Sequence, residues 1–365
     1  MKLYFRIIFK IFFILTILAG CATTEEIKKV DSDEQLNQGI ALLEESQPDE
    51  LLNQGIALLE EGQYDRAIAD FDKAIEINPE NASAYYNRGL AYGGKGQYDR
   101  AISDYTKAIE INPGYASAYN NRGIAYFGKN QYDQAISDYT KVIEINPGYA
   151  SAYYNRGLAY DNEGKYDKAI PDYTKAIEIN PKYAWAYDNR GLAYYRKGDY
   201  EQAISDCSKA IKINPELANA YNNRGNAYDG KGQYDRAISD YTKAIEINPE
   251  YASAYYNRGR AYFGKSQYDR AISDYNKAIE INPGYAWAYD NRGLSYYRKG
   301  DYDQAISDCS KAIEINPKLA KAYNNRGLAY YSKGLNDKAC SDFKWACDFG
   351  FCEGYEFEKI KGGCS

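Results

Sequence analysis

Apolar and small residues recur along most of the chain at spacings of three and four, between short polar stretches. In residues 82–115, Tyr85 and Tyr92 lie on one face of a predicted helix, which the glycines after Tyr92 end. A second apolar stripe at 101–109 predicts another helix. It stops at Asn112-Pro113, because proline cannot continue the hydrogen-bond ladder and constrains the residue before it. The pattern predicts a pair of helices joined by a turn.

The same pair recurs with a fixed period. Asn-Pro is repeated every 34 residues, with its prolines at 79, 113, 147, 181, 215, 249, 283 and 317. Nine units follow, at 48–81, 82–115, 116–149, 150–183, 184–217, 218–251, 252–285, 286–319 and 320–353. A period of this length is typical of a solenoid, in which each helix pair buries its apolar face against its neighbours.

A partial repeat precedes the first unit. The sequence LNQGIALLEE occurs at 36–45 and again at 52–61. The first copy lacks a second helix, so we predict that residues 34–47 form an extra helix that caps the open end of the stack.

The repeat resembles that of the tetratricopeptide repeat (TPR) family. Counted from the first residue of a unit, that family has an aromatic residue at position 4, Gly at 8, Tyr at 11, Ala at 20 and 27, and Pro at 32. The unit 82–115 carries all of these. The resemblance implies an all-α, right-handed solenoid over 48–353. The usual Leu at position 7 is Arg in eight of the nine units.

The resemblance also implies a concave groove lined by first-helix positions, among them 2, 5, 6, 9, 12 and 13. Positions 2, 5 and 12 vary here while the framework stays constant, which predicts an irregular surface for extended peptide segments. Neutral drift gives the same pattern. The aromatic candidates are Trp185, Trp287, Tyr195 and Tyr297. Stacking of these rings on the sugars of peptidoglycan or another polysaccharide is the alternative.

Position 6 is Asn in every unit. A row of amides can clamp the backbone of an extended peptide whatever its sequence, and some other TPR superhelices have a similar row. The alternative is a structural Asn that bonds a neighbouring repeat. The candidate residues are Asn87, Asn121, Asn155, Asn189, Asn223, Asn257, Asn291 and Asn325.

The arginines at position 7 share the inward face with the tyrosines. A half-buried guanidinium needs a carboxylate, and the second helix has Asp at position 23 throughout. We therefore predict structural ion pairs such as Arg224–Asp240. Ligand binding by these arginines is the alternative.

The N-terminus has the pattern of an export signal. Residues 1–10 are basic and 11–18 form a short apolar stretch, too short to span a bilayer. The following Leu-Ala-Gly-Cys resembles a bacterial lipobox, which implies removal of residues 1–20 and acylation of Cys21. Residues 21–33 read as a tether. Ala22, in place of Asp, favours the outer membrane, with the protein facing the periplasm or the cell exterior.

Four further cysteines crowd the C-terminus: Cys340, Cys347, Cys352 and Cys364. An exported chain with clustered cysteines suggests disulfides. Cys340 and Cys347 are about 10.5 Å apart along one helix, too far to bridge. The remaining pairings are 340–352 with 347–364, or 340–364 with 347–352. A four-thiolate zinc site is the alternative. Residues 354–365 are predicted to cap the last repeat.

The amino-acid composition argues against several classes of function. The chain has 42 Tyr, no His and a formal net charge of −6. Absence of His removes the commonest general base, and no motif for a nucleophile or a phosphate site replaces it. An acidic chain without a basic block after its N-terminus argues against nucleic acid. We predict no enzyme activity and no cofactor or metal. The expected function is a lipid-anchored scaffold that binds extended segments of envelope proteins.

Overall fold

The computed structural model describes residues 48–352. The predicted signal, tether, N-terminal capping helix and C-terminal cap, at 1–20, 21–33, 34–47 and 354–365, lie outside the described residues. So do Cys21 and Cys364. Nothing in the structure bears on those predictions.

Residues 48–352 contain eighteen helices and no strand. The first helices of the nine units are α1 (48–60), α3 (Ala82–Gly94), α5 (Ala116–Gly128), α7 (Ala150–Asn162), α9 (Ala184–Arg196), α11 (Ala218–Gly230), α13 (Ala252–Gly264), α15 (Ala286–Lys299) and α17 (Ala320–Ser332). The second helices are α2 (Tyr64–Ile77), α4 (Tyr98–Ile111), α6 (Tyr132–Ile145), α8 (Tyr166–Ile179), α10 (Tyr200–Ile213), α12 (Tyr234–Ile247), α14 (Tyr268–Ile281), α16 (Tyr302–Ile315) and α18 (Asn336–Asp348).

The ends of the helices follow from the local sequence. Each second helix from α2 to α16 stops at the Asn of Asn-Pro, whose backbone is extended, as at Asn112 with φ −128°. The proline that follows disfavours helical geometry at that residue. The glycines after Tyr92 do not end α3 at once: the helix continues through Gly94, and Gly96 makes the turn with φ +71°.

The chain divides into two compact units, Met1–Pro147 and Gly148–Ser365. In the described part of the first unit, α1–α6 pack as consecutive pairs; in the second, α7–α18 do the same. The predicted all-α solenoid is therefore confirmed within each unit. Among the described residues, no helix combines the length and apolar character that a membrane span requires.

The core is built from small residues facing tyrosine rings. Tyr241 on α12 is fully buried against Gly225 on α11, where an added Cβ would lie 2.7 Å from the ring. Gly89 and Tyr105 make the same contact in the first unit. Because interiors are close-packed, a methyl group at these glycines would displace the ring, which explains Gly at position 8.

Candidate ligand-binding site

The first-helix face is the set of residues at positions 2, 5, 6, 9, 12 and 13 of the first helices. The sequence predicts that the ligand binds on this face. In the second unit it is carried by α7, α9, α11, α13, α15 and α17. Some of its side chains are bonded to other parts of the protein, and others are free to contact a ligand.

The asparagines at position 6 bond the preceding repeat. In the second unit the side-chain nitrogens of five of them donate to the position-5 residue 35 positions earlier, at 2.8–3.0 Å: Asn189 to Tyr154, Asn223 to Asp188, Asn257 to Asn222, Asn291 to Tyr256 and Asn325 to Asp290. In the first unit, Asn121 donates to the Tyr86 hydroxyl at 2.9 Å. Asn87 instead donates to the Ser83 carbonyl.

These bonds limit what the row of asparagines can offer a ligand. Asn189 also donates to the Trp185 carbonyl at 3.0 Å, and Asn291 donates likewise to the Trp287 carbonyl at 3.0 Å. Since an amide nitrogen has two hydrogens, both are used at these two residues. The amide oxygens are the atoms that can still accept a bond from a peptide N–H. The inter-repeat contacts fit the structural interpretation, and clamping of a peptide stays a prediction.

The position-7 arginines face their predicted partners. Arg224 donates from Nε and Nη2 to the two carboxylate oxygens of Asp240, each at 2.8 Å, and from Nη1 to the Ser208 hydroxyl at 3.0 Å. The same two-bond pairing, at 2.6–2.8 Å, joins Arg88–Asp104, Arg122–Asp138, Arg156–Asp172, Arg190–Asp206, Arg258–Asp274, Arg292–Asp308 and Arg326–Asp342. These guanidinium groups hold the two helices of a repeat together.

Position 5 is not an open surface at several repeats, contrary to the sequence-based expectation. Asp188 and Asp290 are each only 2 % exposed, and Asn222 is also buried. The side chains lie in the contact between consecutive repeats, where they accept the bond from the next asparagine. Burial raises the pKa of Asp188 and of Asp290 to about 6. No ion pair compensates either carboxylate within the described residues.

Three aromatic side chains of this face are exposed: Trp185, Trp287 and Tyr331. Trp185 is 44 % exposed and Trp287 is 41 % exposed, each at position 2 of its helix. Tyr195 and Tyr297 are half-buried, and their rings lie 5.9 and 5.7 Å from those of Tyr200 and Tyr302. In the second unit the tryptophans are thus two of the three large exposed aromatic side chains of this face, and Tyr331, 40 % exposed at position 12, is the third.

The two tryptophans belong to duplicate repeats. Units 184–217 and 286–319 differ at four positions, and Trp, Asp, Asn, Tyr and Arg are the same in both at positions 2, 5, 6, 12 and 13. In both units the position-6 asparagine donates to the position-5 tyrosine of the preceding repeat and to the tryptophan carbonyl, and the position-12 tyrosine packs on the tyrosine five residues later. The second unit thus carries two copies of one aromatic surface, three repeats apart.

The described cysteines are of two kinds, disulfide-bonded residues near the C-terminus and free thiols in the core. Cys347 and Cys352 form a disulfide, and Cys340 is also disulfide-bonded. This excludes the pairing 340–352 and the four-thiolate zinc site, because Cys352 and Cys347 are bonded to each other. Cys207 and Cys309, at position 24 of their repeats, are buried free thiols, and burial raises the pKa of both.

Three family models match the repeats, and the first matches four of the units at the bounds that the sequence predicts. The family model described as "Tetratricopeptide repeat" matches residues 82–115, 116–149, 150–183 and 218–251. A second model, "TPR repeat", matches 55–96, 191–232, 259–300 and 293–334. A third, also described as "Tetratricopeptide repeat", matches 172–205 and 240–273. Together they span residues 55–334. No curated protein matches the sequence.

Several solved structures share the fold. The APC/C hetero-tetramer Cut9-Hcn1 aligns with a TM-score of 0.58 at 21% identity, over 87% of this chain and 62% of that chain. A tetratricopeptide repeat protein from Parabacteroides merdae gives 0.57 at 21%, over 68% and 98%. Pseudomonas aeruginosa pilF gives 0.50 at 20%, over 57% and 94%. The alignment covers less than two thirds of the first of these structures. At identities of 20–21%, the three similarities show a shared fold and nothing about function.

Proposed function

Because the chain belongs to the tetratricopeptide repeat family, we propose that it is a non-catalytic scaffold that holds other proteins on its first-helix face. The observation that carries the proposal is the pair of exposed tryptophans, Trp185 and Trp287, at equivalent places in two duplicate repeats. Exposed tryptophans are the side chains that most often anchor a protein partner, since each can bury a large apolar area.

The ligand that fits this face is an extended segment. Positions 2 and 13 of one first helix are separated by about 16 Å along the helix axis. About five residues of extended chain cover that distance. The segment would place one apolar side chain against a tryptophan, and its backbone N–H groups would face the amide oxygens of the position-6 asparagines, which accept no described hydrogen bond at Asn189 or Asn291.

The membrane anchor belongs to the same proposal. We infer from the Leu18–Cys21 sequence that Cys21 carries lipid and tethers the scaffold to the envelope, with the outer membrane favoured and the repeats facing the periplasm or the cell exterior. Changing Cys21 to Ser should move the protein from the membrane fraction to the soluble fraction of the host and abolish incorporation of labelled palmitate. Unchanged fractionation together with unchanged labelling would refute the anchor.

The partner is tested by affinity capture of the tagged full chain from crosslinked cells, beside a Trp185→Ser/Trp287→Ser variant. Serine is the residue that position 2 has at Ser151 and Ser253, so the repeat accommodates it. We expect the wild-type protein to capture defined envelope proteins and the variant to lose most of them, at unchanged helical content. Capture of the same proteins by both would place the binding surface elsewhere.

Glycan binding is the second candidate, and the same exposed indole rings favour it, because aromatic faces stack on sugars. Sedimentation of the protein with purified peptidoglycan distinguishes the two. If the wild type sediments, the tryptophan variant does not, and no protein is captured from cells, the ligand is a glycan.

A further inference from the structure

The two copies of the aromatic surface differ in charge, although their own sequences are almost the same. Each has Arg at position 13: Arg196 in one copy and Arg298 in the other. Arg196 donates to a carboxylate oxygen of Asp161, at position 12 of the preceding repeat. At the corresponding place before Arg298 stands Phe263, whose ring packs against Tyr268 at 5.4 Å.

Arg298 therefore has no internal carboxylate. Within residues 48–352 it makes no ion pair and no side-chain hydrogen bond, and it is exposed. Arg260, which also lies on the first-helix face, is paired with Asp229 at 3.3 Å. A difference outside the duplicated repeat thus leaves one of two equivalent arginines free.

A second positive charge lies beside the same copy. Position 2 of the repeat after Trp287 is Lys321, which is exposed and close enough to act electrostatically on Asp290. The corresponding residue after Trp185 is the neutral Asn219. Because the buried carboxylates Asp188 and Asp290 are the same in both copies, they do not cancel this contrast.

We propose that the Trp287 copy binds an acidic extended segment, with Arg298 and Lys321 receiving its carboxylates, and that the Trp185 copy binds a neutral one. The inference rests on the proposed function and names the ligand class for one part of that face. Guanidinium–carboxylate bonds are among the strongest polar contacts, and an exposed arginine without an internal partner loses nothing internal by making one. The protein then holds two different segments with two related sites.

The test is fluorescence anisotropy with the full chain and three labelled twelve-residue peptides, acetylated and amidated. They alternate Thr with Glu, Gln or Lys on both sides of one central Leu, which supplies the apolar side chain for Trp287. We expect the Glu peptide to bind about tenfold more tightly than the Gln peptide at low salt, and the difference to shrink as salt screens it. A Glu peptide with a free C-terminus should bind no better, since side-chain carboxylates are the ligand.

Natural residues of other repeats supply the matched variants. Arg298→Ser/Lys321→Asn introduces the residue types of Ser332 and Asn219 and should abolish the preference for Glu. Phe263→Asp gives Arg298 a carboxylate partner like the one that Arg196 has, and it should reduce the preference for Glu. Asp161→Phe removes the partner of Arg196, so a second Glu peptide should bind to each protein molecule.

Two failures are distinguishable. The charge assignment is overturned if the Glu and Gln peptides bind equally well. It is also overturned if the Arg298→Ser/Lys321→Asn variant keeps the preference for Glu while its circular dichroism is unchanged. In either case, peptide binding on this face is still supported. If no peptide binds at millimolar concentration, the charge assignment and the peptide-binding function fail together.

Discussion

Replacing Arg224 with Ala is expected to lower the free energy of unfolding by roughly 2–4 kcal/mol, because it leaves a buried carboxylate without its partner. Asp240 is 9 % exposed at its side chain and receives two of its bonds from Arg224, which is itself 21 % exposed. Without the guanidinium, no described side chain replaces those two donors. The Ser208 hydroxyl also loses a donor.

The control separates the cost of a broken pair from the net value of an intact one. In Arg224→Leu/Asp240→Ala both charges are gone, and Leu is the usual residue of the family at this position. We expect this double variant to recover most of the lost stability, since an apolar replacement of both partners is often nearly neutral. Lys243→Ala, which breaks the exposed Lys243–Glu246 contact, should change stability by less than about 0.5 kcal/mol.

Urea unfolding followed by circular dichroism gives the stabilities, and hydrogen exchange shows whether the loss is confined to α11 and α12. Repeat proteins lose cooperativity between distant repeats, so the local readout is needed. An Arg224→Ala protein with an unchanged midpoint and unchanged exchange in these helices would show that the pair does not hold them together.

Asp188→Asn is expected to stabilise the protein at pH 7.5 by about 2 kcal/mol and to have little effect at pH 4. The folded-state pKa of Asp188 is about 6, above the usual 3.8 of an aspartate. The folded protein therefore holds this proton more tightly than the unfolded chain. The stabilising contribution is complete below about pH 4, and it is lost as the pH rises towards and through 6.

The physical reason is an ionised carboxylate buried without a cation. Around Asp188 stand the Asn223 amide, the buried Cys207 thiol, and the phenols of Tyr154 and Tyr251. The Asn223 amide donates a hydrogen bond to it at 2.9 Å, and the Cys207 thiol donates only a long, weak one at 4.0 Å. Burial therefore dominates, and the neutral form is favoured.

The chain contains the reciprocal control. Asn222 occupies the same place in the next repeat and accepts from Asn257 at 3.0 Å, so the amide that Asp188→Asn introduces should accept from Asn223 in the same way. Asn222→Asp should destabilise the protein at pH 7.5 and be tolerated at pH 4. Thermal unfolding of both variants across this range checks the signs. If Asp188→Asn lowered the midpoint at pH 7.5, the carboxylate would be a stabilising group and this interpretation would be wrong.

Contacts within one repeat could be predicted from the sequence, whereas contacts between repeats could not. The helix pairs follow from apolar spacing and Asn-Pro within one unit, and the Arg224–Asp240 contact follows from two residues 16 positions apart in that unit. The Asn223–Asp188 bond joins residues 35 positions apart in different repeats. It depends on how one repeat is seated on the next, which periodicity inside a repeat does not determine.

One signal for the buried aspartates was present in the sequence. Asp at position 5 occurs in the two repeats that have Cys in place of an aromatic residue at position 24, namely Asp188 with Cys207 and Asp290 with Cys309. In the structure the Asp188 carboxylate lies 4.0 Å from the Cys207 sulfur. The two positions share one buried space. Reading each position separately assigned Asp188 to the ligand surface.

Site-specific photo-crosslinking in living cells tests whether the first-helix face of the second unit holds other proteins. Benzoylphenylalanine placed at Trp185 or Trp287 should give discrete adducts with other proteins. The same probe at Lys243 or Lys277, which are exposed on second helices, should give few. Adducts that form at Lys243 and Lys277 but not at the tryptophan positions would contradict the account and move the binding surface to the opposite helices.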